Sequence, residues 1–473
     1  MNASMATAVS AVVVLVAVGF LPALRLTSRP VEAVLASPLT GALVLVPGAT
    51  VGIVLAGPTV LLAGLGAVVA NVLAWRWGGP GGRWVPTGRL APVLAFVAVV
   101  AVVVALHLTR APMDWDAHSI WFFHSSWFAA GGDAGREAFR LETYSHAEYP
   151  PLLTAPAGVL SQLLSGGIHW RIAQMVITVT AWSAFATAGA LLVDGAKQKW
   201  ITALGLVATG GVAISALGFG VANGDADLAA ATTVLLAAVA LLVREEPELV
   251  PLGLVAATAA ALCKGESMVV AIVLVGLAWW RRGRPRQVRW AVPAVAGLGW
   301  TLVARGLGAE SYLIQNFGGL SPDRWADRGW PSLVRIVEEM GGLAPAAAVA
   351  SVGCAVLVPS TRRALALLWV VIAADVAGVI LVYVVGELEI EGWLGSSARR
   401  VATGPLLLAA TAAVLALDRC GDLVLGGVGP GHRQGAEHGE VVASGQGSLG
   451  DRRHRHVGAH EHAVDQADRR EGA

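Results

Sequence analysis

Two carboxylates, Asp114 and Asp116, flank Trp115 where an apolar run long enough to cross a bilayer comes to an end. Acids at such a boundary are costly unless wet, paired or at work. Two chemistries suit them: taking a proton from a hydroxyl, or holding a cation between oxygens. The pair opens a polar and aromatic stretch, residues 110–150, with Trp121, Trp127, His118, His124, His146 and the run Glu148-Tyr149-Pro150-Pro151. Tryptophan and tyrosine alone would make an interfacial belt. Acids and histidines packed among them ask for more than an anchor.

Polar residues recur at the ends of later apolar segments. Asn223-Gly224-Asp225-Ala226-Asp227 precedes one of them; one aspartate there suits an N-cap that compensates the helix dipole, and the other is left over. Cys263-Lys264-Gly265-Glu266-Ser267 lies between two short apolar stretches. Its lysine and glutamate either neutralise each other or line a polar cavity shared with the aspartates. Arg399 and Arg400 follow Trp393 and the acids Glu387, Glu389 and Glu391. Arginines in a loop away from the cytoplasm oppose the usual charge bias and point to an anion. A lipid-linked phosphate suits the two-toothed grip of a guanidinium.

Composition says what must position these groups. Of 473 residues, 56% are hydrophobic and 14% charged, where a soluble domain carries about a quarter charged. The chain is therefore expected to be an all-α, polytopic membrane helical bundle. Its large first outer loop is expected to contain amphipathic helices. A net charge of +1 gives no electrostatic case for nucleic acid. Cys263, Cys354 and Cys420 lie far apart, with neither disulfide-framework nor zinc-ligand spacing. No Gly-rich loop ends in Lys-Ser or Lys-Thr, which argues against a nucleoside triphosphate bound on this chain. Near the N-terminus, an apolar run of about 20 residues without a preceding basic cluster is followed by Arg25 and Arg29, the order of a retained span.

About 13–14 apolar segments can be marked: 5–25, 39–56, 59–75, 90–109, 151–165, 171–193, 200–220, 227–243, 249–262, 267–280, 288–305, 342–358, 364–386 and 401–417. Arginines in short loops (Arg25/Arg29, Arg76/Arg83/Arg89, Arg244, Arg281-Arg282-Gly283-Arg284, Arg362/Arg363) are expected in the cytoplasm, with the Asp114 and Lys264 loops opposite. One conflict follows. If the Asp114 and Asp225 loops share a face, the three segments between them cannot all be ordinary spans. Segment 151–165 is short and opens with Pro-Pro, while 200–220 is interrupted by Gly210-Gly211, so either suits a broken or re-entrant element. Three regions are expected: N-terminal membrane helices over 1–89, a membrane module over 90–418 with its outer loop 110–150, and a tail over 419–473. The tail is Gly-rich, holds six of the eleven histidines and reads as disordered.

Trp115-Asp116-Ala117 with Ile120-Trp121, then Phe128, Gly131-Gly132, His146, Glu148-Tyr149-Pro150 and Leu152-Leu153, resemble the first outer loop of bacterial C-type multi-span glycosyltransferases. That family is similar to the dolichyl-phosphate-mannose-protein mannosyltransferases. Asp227-Leu228, Lys264-Gly265-Glu266 and the segment from Trp393 to Arg399-Arg400 follow in the same order, so the resemblance covers about 90–417. The Lys264 turn departs from it, with Cys263 where Thr is common, Gly265 where Asn is common and Ser267 where Gly is common.

The resemblance implies transfer of a sugar, with inversion, from a polyprenyl-phosphate donor to an acceptor hydroxyl on a glycan, lipid or protein. The reaction would take place at the extracytoplasmic face of the cell membrane. Asp114 or Asp116 would be the general base, Arg399, Arg400 and Lys264 would hold the phosphate, and His146, Glu148 and Tyr149 would contact sugar or acceptor, with Asp225, Asp227 and Glu266 in the same substrate site. No cofactor is implied as obligatory, and the paired aspartates suit Mg²⁺ or Mn²⁺ as well as metal-free action. The rival class is a multi-span transporter or flippase of a lipid-linked or small polar substrate, which the charged Lys264 turn between short helices also fits.

Overall fold

The computed structural model describes residues 3–27, 29–77, 90–112, 115–141, 146–311, 315 and 317–426. The protein is an all-α polytopic membrane bundle. Among the described residues β pairing is limited to one isolated antiparallel bridge, Phe317 with Gly386. Each of the fourteen apolar segments coincides with a helix. In chain order the helices are α1 (Ala3–Thr27), α2 (Pro30–Val54), α3 (Thr59–Trp77), α4 (Leu90–Leu108), α5 (Phe123–Ala130), α6 (Gly132–Glu137), α7 (Thr154–Ser165), α8 (Trp170–Gly195), α9 (Lys199–Leu217) and α10 (Ala226–Ala238, continued by a π turn Val239–Val243). They continue with α11 (Val250–Ala261), α12 (Gly265–Arg281), α13 (Val292–Leu307), α14 (Trp330–Met340), α15 (Leu343–Leu357), α16 (Arg362–Val385), α17 (Ile390–Val401) and α18 (Thr403–Gly426).

Among the described residues nine helical segments are long and apolar enough to cross a membrane. The segments 151–165, 249–262, 267–280, 288–305 and 342–358 form helices of 12 to 17 residues, below that length. The helix pair Pro322–Met340 and Leu343–Leu357 is bent by 77° and together makes a tenth candidate. Small residues let neighbours close up, as in membrane bundles generally. A Cβ on Gly19 of α1 would lie 2.0 Å from the Ser37 carbonyl oxygen of α2.

The conflict over 110–225 resolves on α7. It has 12 residues, about 18 Å at 1.5 Å per residue, too short for a hydrocarbon core of about 30 Å. Helices α8 and α9 are continuous spans of 26 and 19 residues. Gly210 does not break α9, which runs on through Gly210-Gly211. Arg171, in the first turn of α8, donates to the carbonyls of Leu108 (3.0 Å) and Arg110 (2.8 Å) just past α4. The chain therefore leaves α4 and enters α8 at the same end of the bundle. The stretch between folds as helices and not as an open loop. It is pinned to the α2–α3 turn by Thr59 Oγ1 donating to Phe128 O (2.8 Å) and by Gly132 N donating to Gly57 O (3.1 Å).

The described helices form one compact unit, Met1–Gly427, with no break at 89. The last helix runs through Asp418 to Gly426, past the boundary expected from composition. Asp418 is buried and accepts from Lys197 N, Gln198 N and Thr202 Oγ1, so it anchors the start of α9. The rest of the expected tail lies outside the described residues.

Candidate functional site

Four segments far apart in sequence bring their charged residues to one end of the bundle. Asp116 stands immediately before the π turn Ala117–Phe122 that leads into α5. Arg400, in the last turn of α17, donates from Nη1 to Asp116 Oδ2, and its Nε lies 3.9 Å from Asp227 Oδ2. Asp227, in the first turn of α10, accepts at Oδ1 from Lys264 Nζ at 2.8 Å. The result is a continuous chain, Asp116–Arg400–Asp227–Lys264. Asp227 and Lys264 are 10% and 14% exposed, so each needs the other: an unpaired charge this deep costs several kcal/mol.

Local structure fixes each member. Lys264 occupies the turn between α11 and α12, where its amide donates to Ser267 Oγ (3.2 Å) while Ser267 Oγ donates to Ala260 O (2.6 Å). Burial disfavours its charge, but the carboxylates of Asp227 and Glu266 outweigh that and hold the amine protonated well above its ordinary range. Gly224 turns the chain into α10 with φ +95°, and a Cβ there would strike the Phe122 ring at 2.6 Å. Only glycine allows both the left-handed backbone and the approach of the Asp116 helix. Gln174 of α8 ties the two strands of this corner together, donating to Arg110 O (3.0 Å) and Ala222 O (2.7 Å).

A cavity of about 50 Å³ opens beneath the chain of charges, room for a few waters. Asp227, Lys264, Glu266, Asp375 and Arg400 contribute its polar wall, and Val234, Val270 and Val379 its apolar floor. The floor residue Val234 lies two helical turns past Asp227, about 10 Å.

Asp375 is a member the sequence reading missed. It sits inside the 24-residue apolar helix α16 and faces Gly404, whose Cβ would lie 2.6 Å from its Oδ2. A lone acid in the middle of such a run was the signal available for it.

The loop 146–153 lies beside the Lys264 turn. Tyr149 is stacked between Trp121 (centroids 5.5 Å apart, 20° between planes) and His146 (4.6 Å, 12°), and His146 Nδ1 lies 3.6 Å from Glu148 Oε1. Leu152 N donates to Leu262 O (2.9 Å) and Trp300 Nε1 donates to Glu148 O (2.9 Å), joining this loop to the Lys264 turn and to α13.

Of the residues singled out from sequence, the fold gathers Asp116, Asp225, Asp227, Lys264, Glu266 and Arg400, with His146, Glu148 and Tyr149 beside them. Asp225 takes the N-cap position of α10 with extended backbone, but its side chain makes no capping hydrogen bond. It is buried, close enough to Arg400 to stabilise that charge. Arg399 points elsewhere, donating to Ser215 O near the end of α9. Asp114 lies outside the described residues. Trp121 and Trp127, each 3% exposed, are packed inside the segment and not spread on its surface as an interfacial belt would be. The outer acid Glu389 caps α17: the amides of Glu391 (2.8 Å) and Gly392 (2.6 Å) donate to it, and with the Gly392 amide dominant they hold its carboxyl below the usual range.

Compared with models of protein families, with curated proteins and with solved structures, the chain matches none.

Proposed function

We propose that the protein is a membrane glycosyltransferase that moves a sugar from a polyprenyl-phosphate donor to an acceptor hydroxyl at the extracytoplasmic face of the cell membrane. The observation that carries this reading is the ion-pair chain itself: two cations, Arg400 and Lys264, held among carboxylates above a cavity with an apolar floor. Such a site suits a ligand with an anionic head and a hydrocarbon tail. The resemblance of the 115–153 segment to C-type glycosyltransferases supports the same reading.

The chemistry follows from the residues. The donor phosphate takes the place of the Asp116 carboxylate on Arg400, with Lys264 as the second cation. Asp116, released, accepts the proton of the acceptor hydroxyl as that oxygen bonds to the anomeric carbon. The carbon–oxygen bond to phosphate breaks, and its electron pair leaves with the polyprenyl phosphate, which Arg400 and Lys264 stabilise. One displacement inverts the anomeric centre. His146, Glu148 and Tyr149 flank the point where sugar and acceptor meet.

The test is incubation of the purified protein in proteoliposomes with a radiolabelled polyprenyl-phosphate sugar and no nucleotide. Label passing to an acceptor supports the proposal. Label crossing the bilayer still attached to its lipid would favour the transporter instead, a reading for which Asp375 at mid-span is the supporting observation.

A further inference from the structure

At the opposite end of the bundle lies a second feature that the proposed reaction does not use. Helices α12 and α13 are joined by a turn through Gly283-Arg284-Pro285-Arg286-Gln287. Between them runs a groove of about 480 Å³ lined by Ile272, Val275, Gly276, Trp279, Val288 and Ala294, among others. The groove is open to the side: Ile272 is 38% exposed and Val288 86%. Trp279 Nε1 donates to Pro285 O (3.1 Å) and holds the turn over its mouth.

Arg286 lines the groove, and the sequence around it is strongly basic. Arg281, Arg282, Arg284, Arg286 and Arg289 fall within nine positions. Arg281 is neutralised by Glu245 and also donates to Leu242 O. No carboxylate among the described residues pairs with the other four, and the charged neighbour of Arg282 is another cation, Arg289. Two buried donors lack any partner in the described structure: Arg282 Nε and Trp290 Nε1, the latter on a side chain 7% exposed that itself lines the groove. A ligand that supplies acceptors here satisfies donors that the fold leaves unpaired.

We infer that this groove binds one acidic phospholipid of the surrounding leaflet, its phosphate on Arg282 and Arg286 and an acyl chain along Ile272, Val275 and Ala294. Charge complementarity selects the head group, because a zwitterionic lipid returns a cation to a site already crowded with them. The apolar walls select a lipid over a free anion. A guanidinium pair grips a phosphate at two points each, which fixes one lipid where loose surface arginines would attract many.

Native mass spectrometry of the full chain, released from nanodiscs of equimolar dioleoyl-phosphatidylglycerol and dioleoyl-phosphatidylcholine, tests the inference. One retained phosphatidylglycerol is expected. Arg282→Gln with Arg286→Gln should lower that retention at least tenfold, as should Arg286→Gln alone to a smaller degree; Arg286 is exposed, so its substitution leaves the fold intact. Trp290→Phe keeps the ring, removes the donor and should weaken retention severalfold. Arg76→Gln, an exposed arginine at the end of α3 and on neither groove helix, should change nothing, and millimolar glycerol phosphate should not displace the lipid. Equal retention of the two lipids overturns the inference. So does parent-like retention in the groove variants, an equal loss in the Arg76 control, or displacement by the chainless phosphate.

Discussion

Two clusters of charged side chains hold opposite ends of this bundle, and they are built differently. At one end Arg29 bridges Asp194 and Glu246, Arg244 joins the same two acids, Lys199 lies 3.9 Å from Asp194, and Glu32 lies 3.8 Å from Arg29. Three cations face three acids. At the other end Lys264 and Arg400 face Asp116, Asp225, Asp227 and Glu266, and a cavity opens between. A balanced, closed cluster is a clamp between helices. An unbalanced one over an open space keeps charge in reserve, and its acid surplus means that an anionic head group can enter only by displacing a carboxylate from Arg400.

The sharpest way to break the comparison is to neutralise one acid from each cluster. Asp116→Asn should lower turnover by about 10²–10⁴-fold with little change in melting temperature. Asp194→Asn should lower the melting temperature and leave turnover per folded molecule unaltered. Comparable turnover losses in both would erase the distinction. Asp114→Asn belongs in the same series, because that residue shares the sequence signature of Asp116.

Next in size is the Lys264–Asp227 pair. Lys264→Met strands a buried carboxylate and should cost about 3–5 kcal/mol of stability, most of which returns when Asp227→Leu is added. Urea or thermal titration of the two variants decides this; a double variant no more stable than the single one would show that the pair is not coupled. Gly224→Ala should cost about 1–3 kcal/mol, from a left-handed backbone and the clash with Phe122. A parent-like melting temperature would show that the corner yields freely.

Two smaller effects sharpen the picture. Arg400→Lys should raise the donor KM and lower kcat, whereas Arg399→Lys should leave both within about twofold, since a rim arginine on a carbonyl contributes little. Removing surplus acid with Asp225→Asn should lower the donor KM about twofold or more, because one negative charge beside Arg400 no longer opposes the phosphate. An unchanged or higher KM would count against the displacement of a carboxylate by phosphate.

Most of the fold was legible in the sequence, because spans are set by composition and length, and each apolar segment became a helix. The choice between 151–165 and 200–220 was not. Pro-Pro and Gly-Gly both announce a break, and only the continuous run of α9 through Gly210-Gly211 tells the two apart. The site was partly legible. Asp227 and Lys264 could be paired only once α10 and α11–α12 were neighbours. Arg399 and Arg400 were separable in principle, since adjacent helical residues point about 100° apart and cannot both face one cavity. Asp375 was visible but passed over among loops richer in charge.

The short helix α7 carries a consequence for biosynthesis. A segment of 12 residues between helices that end and begin at one end of the bundle is too short to cross, so the chain between α4 and α8 stays on one side of the membrane. Helix α7 then settles onto partners already inserted, with Val159, Leu160 and Leu163 lining the same groove as Val14, Leu45 and Val60 of α1, α2 and α3. Topology reporters fused after Asp133 and after Gly167 should therefore report the same compartment, and a truncation ending at Gly167 should leave α7 exposed to proteolysis until α8 is made.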